Sequence, residues 1–267
     1  MIKSSKKLVV IGGGTGSFTL LKSLKDFFTD ITALVNMADD GGSTGILRDE
    51  LGVLPPGDVR QCLVALSNSP KVRDLFNYRF EEGTFEGHAF GNIFMAALEK
   101  MTGNFKEGVE LASKILNITG RVEPVILNEV KLCMRTVDGK VIKGESKITK
   151  SGFASSRPEL WLEPSPQVNP EAISAIISAE IIVIAPGNLY SSLAPALLAP
   201  EISQAMQNSS GLIIYVPNLV TKPGQTDGFK VHDFVSEIER FIGKPSIDVV
   251  LFNNVKPSKD LLDLYAA

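Results

Sequence analysis

A glycine-rich segment near the start of the 267-residue chain has the residue types and spacing that bind phosphate. The segment Gly12–Ser17 reads Gly-Gly-Gly-Thr-Gly-Ser and follows the apolar run Leu8–Ile11. Glycines let the backbone approach a diphosphate closely, and free amides at a helix N-terminus attract anionic oxygens. The segment therefore predicts a phosphate site, and the alternative is a turn that only packs a helix on a strand. The predicted contacts are Gly13, Gly14, Thr15 and Gly16.

The segment meets the dinucleotide-binding fingerprint G-x-G-x-x-G only in part, because Ser17 stands at the third glycine position. Asn36, at the end of the second predicted strand, stands where a nicotinamide enzyme usually carries an acid for the ribose 2′-hydroxyl. Asparagine can contact a base or a ribose, so Asn36 is a candidate ligand contact. These two positions argue against an NAD-dependent oxidoreductase.

Two adjacent acids, Asp39 and Asp40, follow that second strand. The next residues read Gly-Gly-Ser-Thr-Gly, which predicts a mobile loop at the carboxyl edge of a sheet. Because Mg²⁺ binds one or two carboxylates together with phosphate oxygens and water, Asp40 is a candidate metal ligand and ligand contact. A turn in which either acid accepts hydrogen bonds from backbone amides explains the pattern equally well.

Two further motifs each precede a predicted helix. Asp58, in Pro-Pro-Gly-Asp-Val-Arg, is predicted as an N-cap, and Arg60 in the first turn opposes the helix dipole unless it has an anionic partner. His88 can bind a ligand or act as a base, but a structural histidine is the simpler interpretation, and nothing near it in the sequence completes a nucleophilic triad. Asn92 is either a cap or a ligand contact. In an enzyme, the catalytic candidates are Asp40, Asp58 and His88.

Two loops later in the chain repeat the logic of the first. The apolar strand Ile181–Ala185 is followed by Pro-Gly-Asn-Leu-Tyr-Ser-Ser, and a long polar loop follows the strand Leu212–Val216. Several donor-rich loops that converge on one edge of a parallel sheet are typical of a ligand site. The candidate contacts here are Gly187, Asn188, Tyr190, Asn218 and Thr221.

The spacing of apolar residues predicts alternating strands and helices. The predicted strands are Leu8–Ile11, Asp30–Asn36, Ile181–Ala185, Leu212–Val216 and Ile247–Phe252. The predicted helices are Ser17–Phe28, Asp58–Leu66, Lys71–Tyr78, Asn92–Met101, Phe105–Leu116, Pro170–Ala179, Ser192–Gln207 and Gly228–Ile242. Residues from about 121 to 166 alternate around the Asp138-Gly139 turn, which predicts an antiparallel insertion. We expect one α/β domain over 1–267: a Rossmann-like, mainly parallel sheet with helices on both faces and a small antiparallel β insertion.

The composition excludes several classes of protein. Hydrophobic residues make up 44% and charged residues 21%, with a net charge of -3, which is typical of a globular chain and argues against a nucleic-acid partner. The two cysteines, Cys62 and Cys133, each lie in an apolar run and are predicted to be buried thiols. The apolar start is too short for a signal peptide, and no stretch approaches the length of a membrane span, so we expect a cytoplasmic protein.

Taken in order, the motifs closely resemble those of the YvcK-like gluconeogenesis factors, within the wider family of CofD-like 2-phospho-L-lactate transferases. The matching segments are Gly12–Gly16, Ala38–Gly45, Pro55–Arg60, Gly87–Asn92, Gly144–Ser146, Pro186–Tyr190 and Pro217–Gly228. Asn188, Lys222 and Gln225 depart from the usual Ser, Gln and Glu of these segments. The resemblance spans nearly the whole chain.

The resemblance implies a Rossmann-like core with a nucleotide site at its carboxyl edge. YvcK-like members bind UDP-sugars, notably UDP-N-acetylglucosamine, and are needed for normal cell shape and wall synthesis on gluconeogenic carbon sources. CofD members use Mg²⁺ to transfer phospholactate from a guanosine diphosphate carrier. Carried over to this chain, the triglycine loop faces the diphosphate and Asp40 matches the metal-binding acid. The loops at Asn188–Ser192 and Asn218–Thr221 hold the rest of the ligand.

Two functions follow as expectations. The first is a non-catalytic, UDP-sugar-responsive regulator of carbon allocation and cell shape, since no activated nucleophile is evident in the sequence. Its partners would be the nucleotide-sugar, a protein of cell-wall or carbon metabolism and, in a homo-oligomer, further copies of the chain. The second is an Mg²⁺-dependent transferase acting on a nucleotide diphosphate conjugate.

Overall fold

The computed structural model describes residues 3–153 and 157–266, and its main feature is a sheet of six parallel strands. The strand bounds are β1 Ser4–Gly12, β2 Phe28–Val35, β3 Arg121–Pro124, β7 Ile181–Ile184, β8 Leu212–Tyr215 and β9 Val249–Val250, with β4 to β6 in a second sheet given below. The spatial order is β3-β2-β1-β7-β8-β9. Leu8–Ile11 of β1 pair on one side with β2 and on the other with β7, so these residues are buried in the centre of the core.

The strand order reverses between β1 and β7. The chain moves outward in one direction from β1 through β2 to β3, and in the other direction through β7, β8 and β9. In open parallel sheets, ligands bind in the crevice outside the carboxyl ends of the strands at such a reversal. The fold therefore puts the loops after β1 and β7 at the expected ligand position.

Helices cover both faces of this sheet. The helix bounds are α1 Gly14–Leu24, α2 Gly42–Leu51, α3 Gly57–Leu66, α4 Pro70–Asn77, α5 Phe90–Thr102, α6 Phe105–Ile115, α7 Glu145–Lys150, α8 Pro170–Ser178, α9 Ala194–Leu197, α10 Pro200–Asn208, α11 Val231–Ile242 and α12 Lys259–Ala266. Local sequence fixes several starts: the Asn104 side chain accepts hydrogen bonds from the first amides of α6, and Asn169 accepts one from the Glu171 amide of α8. Within the described ranges, no helix combines the length and apolarity needed to span a bilayer.

A small antiparallel sheet forms the insertion. Its strands are β4 Lys131–Arg135, β5 Val141–Lys143 and β6 Glu159–Glu163, in the order β5-β4-β6. The predicted turn at Gly139 joins β4 and β5, with Gly139 at a φ of +85°. One part of the expectation was wrong: Arg121–Pro124 belongs to the parallel sheet, where it pairs with β2, so the antiparallel segment begins later than 121.

The fold expected from the sequence is confirmed, and three local expectations were wrong. The segment after Asp40, predicted as a mobile loop, forms helix α2 from Gly42. This helix was not predicted because its first residues, Gly-Ser-Thr-Gly, are weak helix formers. The predicted helix Ser192–Gln207 is broken because Ala199 precedes a proline and is extended. The last long helix begins at Val231 rather than at Gly228. Cys62 and Cys133 are buried free thiols, as predicted.

Candidate functional site

The glycine loop joins the end of β1 to α1. Gly13 is the extended N-cap of α1 and has no side chain of its own to cap the helix, and Gly14 has a φ of +63°, a conformation that glycine adopts without strain. Amides at a helix N-terminus attract anions. The loop therefore has the backbone geometry of an anion site, and Thr15 is exposed beside it.

Gly16 was expected to contact a phosphate, but in the structure it allows close packing between two loops. A Cβ at Gly16 would overlap the carbonyl oxygen of Pro186, so this glycine lets α1 contact the loop after β7. Ser17, at the third fingerprint position, is buried, and its Oγ lies 2.6 Å from where a Cβ on Gly12 would stand. The missing side chain at Gly16 therefore lets the two loops of the strand reversal lie close together.

Asp58 lies against the glycine loop. It was predicted as an N-cap, which was wrong: Pro56 is the N-cap of α3, and the Asp58 carboxyl instead accepts a hydrogen bond from the Gly14 amide. It occupies the space that a Cβ on Gly13 would fill. Burial, followed by the charges of Asp39 and Glu145, raises the pKa of Asp58 to about 7. A carboxyl oxygen of the protein thus already lies where a phosphate oxygen was expected.

Two acids from neighbouring elements, Asp39 and Glu145, face this carboxyl. Burial raises the pKa of Asp39, which accepts a hydrogen bond from the Gly41 amide at 2.9 Å. Burial likewise raises the pKa of Glu145, whose Oε1 accepts a hydrogen bond from Thr149 Oγ1 at 2.8 Å. Asp40 turns away toward α7 and accepts from the Ser146 amide at 2.7 Å. Asp39, rather than the expected Asp40, is therefore the acid that faces Asp58.

The donor set suits a cation that has few protein ligands. Over residues 3–153 and 157–266, no group of three or more histidine, cysteine, aspartate and glutamate side chains is arranged to hold a metal ion. The pair Asp39 and Asp58 matches the one or two carboxylates that Mg²⁺ takes when phosphate oxygens and water complete its shell. Lys222 also faces this cluster: burial lowers the pKa of Lys222, and the charge of Glu145 opposes that shift.

The loops after β7 and β8 are tied together by Asn218. Its Oδ1 accepts from the Gly187 amide at 2.9 Å, and its Nδ2 donates to the Gly187 carbonyl at 2.8 Å. Asn188 is half-buried next to this clamp, and Thr221 is exposed farther along the loop. Both Asn218 and Gly187 therefore shape the site edge, and their mutual hydrogen bonds use the polar groups that were expected to contact ligand.

Two of the expected contacts lie elsewhere. Tyr190 is fully buried, and its ring packs edge-on against Phe153 at a centroid distance of 5.0 Å. Asn36 is also buried, and its Oδ1 accepts a hydrogen bond from the Ala38 amide at 3.0 Å. In this structure Tyr190 is a core residue, and Asn36 shapes the turn after β2.

A chain of hydrogen bonds connects three motifs that the sequence left apart. Ser43 Oγ lies 2.9 Å from His88 Nδ1, and Asn92 Nδ2 donates to Ser43 Oγ at 3.3 Å. Asn92 Oδ1 in turn accepts from Arg60 Nε at 2.8 Å. Arg60 thus has amide and carbonyl acceptors in place of the anion that its position in α3 suggested. The Ser43 and His88 pair was missed because 45 residues separate them, and only the packing of α2 against α5 brings them together.

Comparison with known proteins identifies relatives of the whole chain. Residues 8–267 match the family described as 2-phospho-L-lactate transferase CofD. A protein of Halalkalibacterium halodurans named "Gluconeogenesis factor" is 41% identical over 263 residues, which cover 98% of this chain and 81% of that protein. A relative from Clostridium acetobutylicum is 40% identical over 99% of this chain, and the match spans 60% of that protein's length.

Solved structures agree with the fold. Two crystal structures of a Bacillus halodurans protein, described as a member of the UPF0052 family, have TM-scores of 0.94 and 0.92 against this chain. Each is 40% identical and covers 98% of this chain and 85% of the other.

Proposed function

Because the chain belongs to the 2-phospho-L-lactate transferase CofD family, we propose that it binds the diphosphate of a nucleotide-linked metabolite at the carboxyl edge of its parallel sheet. The ligand class is a UDP-sugar such as UDP-N-acetylglucosamine. One observation carries the proposal: the Gly14 amide at the strand reversal already donates to a carboxyl oxygen, that of Asp58. A diphosphate oxygen that replaces this carboxyl oxygen fits the same donor at the first turn of α1.

A divalent cation is part of the proposal. Bringing a diphosphate next to Asp39, Asp58 and Glu145 costs free energy unless a cation offsets the repulsion, since burial already raises the pKa of each acid. Asp39 and Asp58 would hold Mg²⁺, and the ion would screen the charge of the diphosphate. Lys222, which faces Glu145, supplies a further positive charge on the opposite loop.

The biological role is proposed as that of a cytoplasmic gluconeogenesis factor. The relative named "Gluconeogenesis factor" supports this role at 41% identity. In our proposal, the nucleotide-sugar acts as a signal that connects carbon supply to cell shape and wall synthesis. Binding would favour one conformer, or one partner surface, through its differential affinity for the two states. A protein of wall or carbon metabolism, and further copies of the chain, are the proposed partners.

Isothermal titration calorimetry tests the ligand. UDP-N-acetylglucosamine is titrated into the protein with and without Mg²⁺, beside UDP, GDP and NAD. We expect saturable binding of the UDP-sugar that is tighter with Mg²⁺, and weaker binding to Gly13→Ala, whose Cβ would displace Asp58. Gly152→Ala, where a Cβ meets nothing nearer than 3.8 Å, is the matched control. Absence of UDP-sugar binding at millimolar concentration would reject the proposal.

An Mg²⁺-dependent transferase is the second candidate. The observation that favours it is the pair of acids, Asp39 and Asp58, beside a diphosphate-sized backbone site. In that case the metal and the α1 N-terminus would stabilise charge on the transferred group. Release of nucleoside monophosphate from a diphosphate conjugate, measured by chromatography, supports this candidate when Asp58→Asn abolishes it. No release from UDP- or GDP-conjugates leaves only the binding function.

A further inference from the structure

The Ser43 and His88 pair lies at the end of a chain of hydrogen bonds whose direction is fixed from Arg60 as far as Ser43. A guanidinium can only donate, so Arg60 Nε–H makes Asn92 Oδ1 the acceptor at 2.8 Å. The Asn92 amide therefore presents Nδ2–H to Ser43 Oγ. The Ser43 hydroxyl donates to His88 Nδ1, at 2.9 Å, in the tautomer that carries the ring proton on Nε2. Arg60 thus sets the direction of the bonds as far as Ser43.

The packing around Arg60 keeps this direction in place. Arg60 is 7% exposed and Asn92 is 4% exposed, so neither side chain can turn to water. Arg60 Nη1 also donates to Asn77 Oδ1 at 2.7 Å. A Cβ at Gly91 would lie 2.6 Å from Arg60 Cδ, so this glycine makes room for the buried side chain. The buried side chains of Arg60 and Asn92 therefore fix the position of the donor to Ser43.

The position of Ser43 favours loss of its proton. Ser43 is the second residue of the ten-residue helix α2, where the partial positive charge of the helix N-terminus stabilises an alkoxide. The Asn92 Nδ2–H donates to the same oxygen, and His88 Nδ1 accepts its proton. Ser43 is also next to Thr44, whose hydroxyl bonds to Asp39 in the acidic cluster, and it remains partly exposed.

We propose that Ser43 is a nucleophile activated by His88, and that it attacks a phosphorus atom of a phosphoryl electrophile at the edge of the sheet. A bond forms between Ser43 Oγ and phosphorus, the bond from phosphorus to its leaving group breaks, and the Ser43 proton moves to His88 Nδ1. With a nucleoside diphosphate conjugate, the leaving group is the nucleoside monophosphate. This chemistry goes beyond ligand binding, which needs no covalent step. Arg60 and Asn92 act as positioning residues.

A fluorophosphonate probe tests the nucleophile without any nucleotide. Ser43 Oγ bonds to the phosphorus atom of the probe and fluoride leaves. The adduct is then located by peptide mass spectrometry. We expect labelling of Ser43 and its loss in Ser43→Ala. His88→Asn is expected to slow labelling about 100-fold, as loss of a general base does. His232→Asn, at the exposed second histidine on α11, is the matched control and is expected to label at the wild-type rate.

Circular dichroism and thermal melting check that His88→Asn and Ser43→Ala keep the wild-type fold. A further positioning test uses Asn92→Asp, which keeps the size of the side chain but removes the donor to Ser43. We expect slower labelling of Ser43 in this variant. No adduct on Ser43 in the wild type, or equal labelling rates in the wild type and a folded His88→Asn, would overturn the proposal. Because the probe needs no nucleotide site, its failure is distinct from a failure of UDP-sugar binding.

Discussion

The raised pKa of Asp58 predicts an unusual pH dependence of stability. The pKa of Asp58 is raised from its ordinary value of 3.8 to about 7 in the fold, where burial and the charges of Asp39 and Glu145 oppose its charge. Between these two values the folded state holds a proton that the unfolded state has lost. The free energy of unfolding that Asp58 contributes is therefore fully present below the lower value and is lost as the pH rises toward 7.

The size of the effect follows from the shift. Each pKa unit of difference between the folded and the unfolded chain corresponds to about 1.4 kcal/mol. The ionised Asp58 therefore lowers the free energy of unfolding by about 4 kcal/mol well above pH 7. About half of that reduction, roughly 2 kcal/mol, develops between pH 5.5 and pH 8.5. Asp58→Asn keeps an acceptor for the Gly14 amide but cannot ionise. The stability gain of Asp58→Asn over the wild type should therefore grow by about 2 kcal/mol across this range.

Urea denaturation at pH 5.5, 7.0 and 8.5, followed by circular dichroism, measures this difference. Asp74→Asn, at an exposed carboxylate on α4, is the matched control for removal of one negative charge. Comparing variants at each pH cancels the titration of groups that they share. If the gap between Asp58→Asn and the wild type stays constant, or narrows as the pH rises, the placement of Asp58 against the glycine loop is refuted.

Three further substitutions test the contacts that shape the site, each by urea denaturation. Asn218→Ala should lower the free energy of unfolding by about 1–3 kcal/mol, because it leaves both polar groups of Gly187 without their partner. Asn218→Asp should restore only the hydrogen bond from the Gly187 amide. Wild-type stability in both variants would contradict these two hydrogen bonds. Gly16→Ala should lower the free energy of unfolding by about 1–3 kcal/mol, because the added Cβ forces α1 away from the Pro186 carbonyl. Gly152→Ala should lower it less. Equal losses in the two variants would contradict the close approach of Gly16 to Pro186. Gln225→Ala should destabilise the protein by about 1–3 kcal/mol, because Gln225 Nε2 donates to the carbonyls of Ile148, Thr149 and Ser151, and an unchanged midpoint would show that these bonds contribute nothing.

Much of the fold could be predicted because it follows from local patterns. The run Leu8–Ile11 before a glycine turn and an amphipathic helix specifies a βαβ start. The strand β3 escaped prediction because Arg121–Pro124 buries only alternate residues and contains a proline, which looks like a loop. The pairing with β2 that makes it a strand is a tertiary contact.

The site could be predicted at the level of loops but not of side chains. Parallel strands bring their following loops to one edge, so the convergence of the glycine loop with the Pro186 loop followed from the order of elements. The sequence could not show whether Asp39 or Asp40 faces Asp58. That depends on local hydrogen bonds, since Asp39 accepts from the Gly41 amide and Asp40 from the Ser146 amide. Tyr190 looked like a ligand contact by its motif, but packing against Phe153 places it in the core.

The most direct test of the diphosphate site is a crystal structure of the protein with UDP-N-acetylglucosamine and Mg²⁺. We expect diphosphate oxygens within about 3 Å of the Gly14 and Thr15 amides, with the cation between them and the carboxylates of Asp39 and Asp58. Diphosphate density at any other place on the protein, with the Asp58 carboxyl still bonded to the Gly14 amide, would contradict this expectation.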